Sequence, residues 1–471
     1  MSLPVQRWRI GLALFVAIAT VRVSLAMYAA TPLPFYDEWP AVIDQIARPM
    51  LAHTLHPGML LATHNEHVLA PTRLLEWSLL RANDVQYDNT LVCALNQILR
   101  AALAATLIVL ALPAFARMPR LFAGAAAAFA AIPYDWENIG MGFANSYFLL
   151  VGFSVFTIVA AARMQRIVSG ALALSALALL ADVSMGSGFF AAGIGFLIVA
   201  VRWRRRDLAA PAALVFAVML AICTGVGVAL TWSATGAASI GALQALQIAL
   251  ALLAWIPTGV LGWSCLRSRT PDRCALALFG VSLWGLVEIL AIIAMRPEFR
   301  LWLPISRYME ILGVAAFANL GCLLRAARHA PLLRLPVRWA LPAFAGAIVL
   351  GAPYATAWFD WHAGELSAQA QRLRQYVREG NFAVLADAPA VERVYPSLDY
   401  LHDELDAADV RQILGDQYGT RPRPAVLTAA WRGLGAGLGA WRWPIWLIAV
   451  MLSWLLVPSS WRRVRCATIQ R

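Results

Sequence analysis

The sequence predicts an all-α polytopic membrane protein with about twelve transmembrane helices. Of its 471 residues, 61% are hydrophobic and only 14% are charged, and the mean hydropathy is +0.66. A soluble domain of this size cannot hide so much apolar surface, so lipid must solvate much of the chain. Long apolar runs recur along the sequence, and arginines collect in alternate gaps between them. These observations together define the fold class.

The apolar runs place the predicted spans one after another. They lie at 10–30, 91–113, 119–133, 143–162, 167–181, 188–201, 209–232, 241–266, 274–295, 303–324, 338–358 and 438–457. The first run is too long for the apolar part of a signal peptide, so we expect a retained helix. Three runs, 119–133, 167–181 and 188–201, have about 15 residues, or about 22 Å of helix. Because a bilayer core needs about 30 Å, we expect these helices to recruit polar flanks or to end in a protein-lined cavity.

The basic residues indicate topology. All 38 are arginine, and the formal net charge is +12. Arginine clusters occupy 7–9, 117–120, 163–166, 202–206, 267–273, 325–338 and 461–465, whereas the gaps at 134–142, 182–188 and 233–240 contain none. This alternation follows the positive-inside rule and argues against nucleic-acid binding. It predicts a multi-pass protein of the bacterial inner (cytoplasmic) membrane with both termini cytoplasmic.

Two long segments are predicted on the external side. The first, 31–90, has helical patterns at 40–53 and 67–82. The second of these patterns places its leucines and Trp77 on one side and leaves Arg73, Glu76 and Arg81 to a wetter side, as in a helix lying on the membrane surface.

The other external segment, 359–436, is polar enough to form a small region, and its stretch at 364–380 has a helical pattern that stops at a glycine. The predicted organisation is therefore a transmembrane bundle at 1–358, which includes 31–90, a small external (periplasmic) region at 359–436, and a last transmembrane helix with a cytoplasmic tail at 437–471.

The costly polar groups share the predicted external side. They are Asp37 and Glu38, the segment 63–67, Arg73, Glu76, the loops 134–146, 181–188 and 296–310, and Arg22, Arg100 and Glu288 in the outer halves of spans. Ionisable groups at membrane depth usually pair, line a wet cavity or do chemistry. Their concentration at one side predicts a single outward polar cavity rather than a conduit across the membrane.

Each candidate also has a structural interpretation. Asp37 and Glu38, between Phe35, Tyr36 and Trp39, are either solvated loop acids or reactive groups. His64, Glu66 and His67 form either a metal-binding set, if the segment is helical, or hydrogen bonds in a loop or to substrate. Their spacing is not that of the zinc proteases.

The run Tyr134, Asp135, Trp136, Glu137 and Asn138 is either an interfacial aromatic belt with incidental acids or a substrate-binding loop. Arg307, Tyr308 and Glu310 form either a structural ion pair or a phosphate site. In the second interpretation Arg307 neutralises a phosphate, with help from Arg22 or Arg100.

The acidic "YDEW" motif (36–39), the surface helix after it, the short spans and the external C-terminal part resemble the GT-C superfamily of membrane glycosyltransferases. The motifs "FYDEW", "HNEH" and "WENIGMGF" also resemble a group of bacterial multi-span proteins usually called hypothetical membrane proteins. The GT-C resemblance implies transfer of a sugar from a polyprenyl-phosphate-linked donor to an envelope glycan, lipid or protein acceptor on the periplasmic face.

The resemblance also implies roles for the candidate residues. Asp37 would be the catalytic base, and Glu38 its partner or, with it, a ligand for a divalent cation, Mg²⁺ or Mn²⁺. Arg307, helped by Arg73, would hold the donor phosphate. The full set of predicted substrate-binding residues is Tyr36, Trp39, His64, Glu66, His67, Arg73, Tyr134, Asp135, Trp136, Glu137, Asn138, Arg307 and Tyr308.

Two other function classes fit the same sequence. One is a transporter or flippase for a lipid-linked saccharide, although no inverted repeat is visible in the sequence. The other is a non-catalytic envelope-assembly protein that uses 359–436 for interaction. A polymerase or ligase that uses the same carrier lipid is a close enzymatic neighbour. The transferase predicts that one outward cavity with a lateral opening brings together Asp37, His64, Glu66, Asp135, Glu137 and Arg307.

Overall fold

The computed structural model describes residues 3–65, 67–231, 242–268, 272–295, 306–327, 334–388, 395–418 and 424–440, together with positions 444 and 451. In these parts of the chain there are helices and turns but no strand, apart from one isolated bridge between His64 and His67. The all-α prediction is therefore confirmed. Glu66 lies outside the described residues, as do the segment 296–305 and nearly all of the predicted span 438–457.

The helices follow each other in chain order with short connections. They are α1 (Leu3–Ala29), a π-helix (Trp39–Ala47), α2 (Arg48–Leu51), α3 (Pro57–Leu60), α4 (Ala70–Ala82), α5 (Asn89–Ala111), α6 (Pro119–Ala131), α7 (Trp136–Gly140), α8 (Asn145–Arg163), α9 (Ile167–Asp182), α10 (Phe189–Arg204), α11 (Ala210–Thr231), α12 (Ala242–Ala254), α13 (Ile256–Arg267), α14 (Arg273–Met295), α15 (Met309–Ala326), α16 (Arg334–Glu379), α17 (Ala383–Ala386), α18 (Leu398–Asp406), α19 (Ala408–Ile413), α20 (Gly415–Tyr418) and α21 (Val426–Ala440). Three 3₁₀ turns lie at Leu112–Phe115, Gly142–Ala144 and Ser306–Tyr308.

Within the described residues, seven helices are long and apolar enough to cross a membrane: α1, α5, α8, α11, α14, α15 and α16. The pair α12 and α13, bent by 48°, makes an eighth span if it is counted as one. The chain is thus a multi-pass membrane protein by length and composition. The predicted count of twelve is not confirmed among the described residues, where the short runs form helices of 13 residues (α6) and 16 residues (α9 and α10).

Helix α16 runs through the predicted boundary between the transmembrane bundle and the external region. Its 46 residues correspond to about 70 Å, more than twice the thickness of a bilayer core. The predicted boundary between 358 and 359 therefore falls inside one continuous helix. The predicted stop at a glycine is confirmed, since Gly380 has a φ of +65° and donates its N–H to Tyr376 at 2.8 Å. Glycine adopts this left-handed capping conformation at no steric cost.

The loops gather at two ends of the bundle, as the arginine alternation predicts. We call the first the acidic end; it comprises 30–90, 132–145, 182–188, 306–308 and 395–418. Its loops are joined directly, for example by the Ala70 N–H to the Val183 carbonyl at 2.8 Å. We call the second the arginine end; its described residues are 163–166, 202–207, 268, 272–273 and 325–327. There the guanidinium of Arg202 donates to the carbonyls of Ala161 and Met164.

Helix α4 faces the opposite way from the prediction. Arg73 and Glu76 are fully buried, whereas Leu74 is 51% exposed. Arg81 is exposed, as predicted. The buried guanidinium of Arg73 donates to the carbonyls of Met59 and Ala62 and to the side chain of Gln45. The helical pattern located the helix, but these partners in other segments turn its charged face toward the protein.

The C-terminal region is packed onto the first loop and does not stand apart. Arg48 forms ion pairs with Asp409 at 2.7 Å and with Glu404 at 3.0 Å. The Tyr400 hydroxyl donates to Asp44 at 2.5 Å. Apolar residues of the π-helix share one core with side chains of α16, α18 and α19. The sequence gives no sign of this contact, because its partners are more than 350 positions apart.

Candidate functional site

Asp37 belongs to a partly exposed surface of the acidic end, formed with Tyr36 and Arg307, which we call the opening. Its carboxylate is half-exposed, and its Oδ1 lies 3.6 Å from Nε2 of His64. That distance is longer than a hydrogen bond and suits a close ion pair if the imidazole is protonated. The preceding residue, Tyr36, has a φ of +46°, which is rare and costly for a residue with a side chain. A strained residue beside an open carboxylate is a feature typical of functional sites.

The two histidines of "HNEH" belong to a tight turn and do not share a helical face. His64 and His67 exchange two backbone hydrogen bonds, at 2.8 and 3.0 Å. The imidazole Nδ1 of His67 accepts the Gly186 N–H at 3.0 Å, while the ring of His64 packs edge-on against Phe143, with centroids 5.4 Å apart. His67 thus anchors the turn to the 182–188 loop, and His64 is left beside Asp37.

Glu38 differs sharply from its neighbour Asp37. It is fully buried, and its two oxygens accept the N–H groups of Phe35 at 2.7 Å and Phe143 at 2.9 Å. Burial raises the pKa of Glu38 to about 7, against the opposing effect of these hydrogen bonds. A Cβ atom at Gly142 would lie 3.0 Å from Glu38 Oε1, so this glycine allows the close approach. Glu38 therefore ties the "YDEW" segment to the 142–144 turn.

The predicted divalent cation between Asp37 and Glu38 does not fit this arrangement well. Both oxygens of Glu38 are already engaged by backbone donors. Among the residues that the structure describes, no three histidine, cysteine or acidic side chains converge as a metal-binding group. Metal dependence stays a prediction, and no step of the reaction proposed below needs a metal.

Arg307 shares the opening with Asp37 through Tyr36. The guanidinium lies 3.6 Å from Glu137 Oε1, and Glu137 Oε2 accepts from the Ser306 hydroxyl at 2.6 Å and the Arg307 N–H at 3.1 Å. Burial raises the pKa of the Tyr36 hydroxyl, and the nearby charge of Arg307 opposes that rise. With 42% of its side chain exposed, Arg307 is available to an anion. Asn138 supports it by donating to the Arg307 carbonyl at 3.0 Å.

Asp135 lies beneath this opening in a closed ion-pair network. It accepts both terminal nitrogens of Arg22, at 2.9 and 2.8 Å, and also the guanidinium of Arg100. Arg100 pairs in turn with Glu310 at 3.2 Å. Arg22 and Arg100 are therefore committed to Asp135 and are not free to help Arg307 with a phosphate, as the sequence had suggested. Glu310 pairs with Arg100 and not with Arg307.

Other predicted site residues pack away from the opening. The Tyr134 hydroxyl donates to the Ile348 carbonyl. The Trp136 ring lies against Trp358, with centroids 5.9 Å apart. Trp39, Arg73 and Tyr308 are buried. A substrate could touch Trp39, Asp135 or Arg73 only after their surroundings had rearranged.

Tyr395 is a neighbour of Asp37 that sequence reasoning missed. Burial raises the pKa of its hydroxyl, and the charges of Asp37 and Asp44 add to that effect. Its ring packs against Tyr400, with centroids 4.6 Å apart. The C-terminal region thus brings an aromatic pair to the edge of the opening, and no local signal in the sequence connects it to position 37.

An apolar cavity begins one helical turn below the ion-pair network. It lies among α5, α6, α8, α14 and α15, and Ala104 and Gly313 of its lining follow Arg100 and Glu310 by one turn. Its remaining wall consists almost entirely of alanine, leucine, valine and phenylalanine side chains. An apolar cavity at membrane depth suits a hydrocarbon chain.

No family model matches the chain, and neither the curated proteins nor the solved structures contain a significant match to it.

Proposed function

We propose that the chain is a membrane glycosyltransferase that moves a sugar from a polyprenyl-phosphate-linked donor to an envelope glycan, lipid or protein acceptor. The observation that carries this proposal is that Asp37 and Arg307 are both neighbours of Tyr36. The half-exposed carboxylate of Asp37, beside His64, follows Tyr36 directly in the chain, and the partly exposed guanidinium of Arg307, beside Glu137, acts on the Tyr36 hydroxyl. Glycosyl transfer needs both groups, a base for the acceptor and a cation for the leaving phosphate.

In the proposed reaction, the acceptor hydroxyl oxygen attacks the anomeric carbon of the donor sugar. The bond between that carbon and the phosphate oxygen breaks, and its electron pair leaves with the lipid phosphate. The acceptor proton passes to the Asp37 carboxylate, and the guanidinium of Arg307 stabilises the charge on the departing phosphate. His64 would hold Asp37 in place from 3.6 Å. Glu38 acts as a positioning residue through its backbone bonds.

The donor's hydrocarbon tail needs an apolar path beside a polar head site. The cavity among α5, α6, α8, α14 and α15 supplies such a space, close to the ion-pair network that underlies the opening. Because the tail is already solvated by lipid, this cavity would hold it through van der Waals packing and not through the hydrophobic effect. The head group would then be presented toward Arg307.

A transporter is the second class to weigh. Beneath the opening, Arg22, Asp135, Arg100 and Glu310 are paired with one another and buried. Breaking such buried pairs is costly, so this network favours a site closed from below over a conduit. A non-catalytic assembly role is separated from the transferase by experiment.

The test compares surface glycans and glycolipids in cells that lack the chain and are complemented with wild type or Asp37→Asn. We expect transfer to fall by about 10²- to 10⁴-fold in Asp37→Asn, the usual contribution of a general base. Asp84→Asn is the matched control, because Asp84 is an exposed acid of the same loop and its φ of +52° suits asparagine. We expect this control to restore the wild-type profile.

Two results would overturn the proposal. One is a glycan profile that does not change when the chain is removed. The other is full complementation by Asp37→Asn at normal protein level in the membrane, which would instead support the assembly role.

A further inference from the structure

Behind Glu38, a small polar cavity separates α4 from the start of α5. Its polar lining consists of Glu76, Asn83, Gln86, Tyr87 and Asp88, and leucine and valine side chains complete the wall. It is separate from the opening that holds Asp37, and the proposed transferase reaction does not use it. The inference below therefore does not depend on that reaction.

Glu76 is the unusual member of this lining. Its side chain is fully buried, and neither of its carboxylate oxygens has a hydrogen-bond partner within the structure. The Tyr87 hydroxyl, also buried in the lining, interacts with the Glu38 carboxylate, which leaves the lone pairs of its own oxygen available. A buried carboxylate without donors or a cation costs several kcal/mol. An occupant of the cavity would relieve this cost.

The nearby arginines Arg73 and Arg432 bind other groups than Glu76. Arg73, one turn earlier on α4, directs its guanidinium to the Met59 and Ala62 carbonyls and to Gln45. Arg432 pairs with Asp88 at 3.1 Å, so those two charges compensate each other. The remaining groups that act on this cavity are acidic or neutral: Glu38, Tyr87 and Cys93.

We propose that this cavity binds a monovalent cation the size of Na⁺, with the carboxylate of Glu76 as its charged ligand and the hydroxyl oxygen of Tyr87 as a neutral one. Hard cations prefer such oxygen ligands. One uncompensated carboxylate matches one positive charge. A divalent ion is disfavoured, because the described residues bring no three acidic, histidine or cysteine side chains together.

The surroundings of Glu76 offer its carboxylate no compensating charge. Burial, together with the charge of Glu38, raises the pKa of Glu76 well above its ordinary value, because both effects disfavour an isolated carboxylate.

The test uses the full-length chain purified in detergent. Its thermal midpoint is measured at pH 7.5 in increasing NaCl, with choline chloride keeping the ionic strength constant. We expect saturating sodium to raise the midpoint by about 1–3 °C, because a ligand of the folded state stabilises it by mass action. Glu76→Gln should abolish this shift. Glu288→Gln is the matched control, since Glu288 is also buried with an unpartnered oxygen, and it should retain the shift.

A second variant, Tyr87→Phe, keeps the proposal testable if Glu76→Gln does not fold. Tyr87→Phe removes one neutral ligand and should raise the sodium concentration for half the effect by about tenfold. A wild-type midpoint that does not depend on sodium would overturn the proposal and leave Glu76 as a neutral acid. The proposal would also be overturned if Tyr87→Phe showed the wild-type thermal shift at the wild-type sodium concentration, and if Glu76→Gln, where it folds, did the same. The ion would then bind elsewhere.

Discussion

The two ends of the bundle differ because some acidic residues of the acidic end lack the guanidinium partners that hold Asp207 and Asp272 at the arginine end. At the arginine end, Asp207 accepts from Arg202 at 2.9 Å and from Arg273 at 2.8 Å, and Asp272 pairs with Arg325. At the acidic end, Glu38 is held by backbone N–H groups, and Glu76 by no hydrogen bond within the structure. The half-exposed carboxylate of Asp37 lies near the imidazole of His64 and the hydroxyl of Tyr395.

This difference separates groups that build the bundle from groups available for other purposes. An acid clamped by two guanidinium groups has its bonding capacity filled and holds loops together. An acid left without a cation is costly, and such costs are usually retained where a site needs them. The acidic end therefore carries the proposed chemistry, and the arginine end carries topology and anchoring.

Asp135 tests the comparison most strongly, because it lies at the acidic end but is paired in the manner of the arginine end. Asp135→Asn would leave Arg22 without its carboxylate and Arg100 with Glu310 alone. Removing one partner of a buried ion pair typically costs about 3–5 kcal/mol. We expect the free energy of unfolding to fall by that amount, as measured by thermal or denaturant unfolding in detergent.

The control for this variant is Asp37→Asn, an identical chemical change at the half-exposed neighbour of His64. Its unfolding free energy should stay within about 0.5 kcal/mol of wild type, as is usual for exposed positions. Equal stability of the two variants would show that the network around Asp135 contributes little and would remove the distinction between paired and open acids.

The sequence predicted the two ends well, because alternation of arginine and the side shared by costly polar groups are properties of the whole chain. The helices also followed from apolar runs, and the helix stop at Gly380 followed from local chemistry. The number of spans was harder to predict from the sequence, since a run such as 119–133 gives a helix of only 13 residues. Composition shows that such a run is apolar, but whether it crosses the bilayer depends on its neighbours.

The site was only partly predictable. Asp37 and Arg307 were predicted as site residues, and both side chains are partly exposed, but their roles stay predictions. The orientation of α4 was wrong, because an amphipathic pattern assumes that charges face water. The buried Arg73 instead meets carbonyl groups of Met59 and Ala62. The pairing of Asp135 with Arg22, 113 positions away, and the approach of Tyr395 to Asp37 depend on tertiary packing that single positions do not reveal.

The two ends should also differ in the sign of their response to pH. Burial raises the pKa of Glu38 from 4.5 to about 7, so its contribution to stability is full below pH 4.5 and is lost as pH rises toward 7. The loss amounts to about 3 kcal/mol by linkage. We expect Glu38→Gln, which imitates the protonated acid, to gain about that much relative to wild type between pH 4.5 and pH 8.

The measurement is the difference in unfolding free energy between wild type and Glu38→Gln at several pH values, since the other titrating groups cancel in the difference. A difference that stays constant from pH 4.5 to pH 8 would mean that Glu38 is ionised throughout. In that case the backbone donors of Phe35 and Phe143 stabilise the carboxylate fully, and the acidic end would resemble the arginine end.

Asp207 gives the smallest and opposite effect. Burial alone would raise its pKa, but hydrogen bonds from Arg273 and Arg202 outweigh that effect and lower it. Its stabilisation is therefore present above the unfolded pKa of 3.8 and is lost as pH falls through the lower folded value. Because solvent partly screens this site, we expect Asp207→Asn to cost about 1 kcal/mol at pH 7.

That cost should begin to shrink only below the unfolded pKa of 3.8 and should approach zero below the lower folded pKa, as wild-type Asp207 becomes protonated. Unfolding of the Asp207→Asn and Glu38→Gln variants, each relative to wild type at pH 7 and at pH values below 3.8, would therefore give curves of opposite slope. Parallel slopes would contradict the comparison, because they would place both carboxylates in the same kind of environment. Opposite slopes would show that the chain stabilises charge at one end and excludes it at the other.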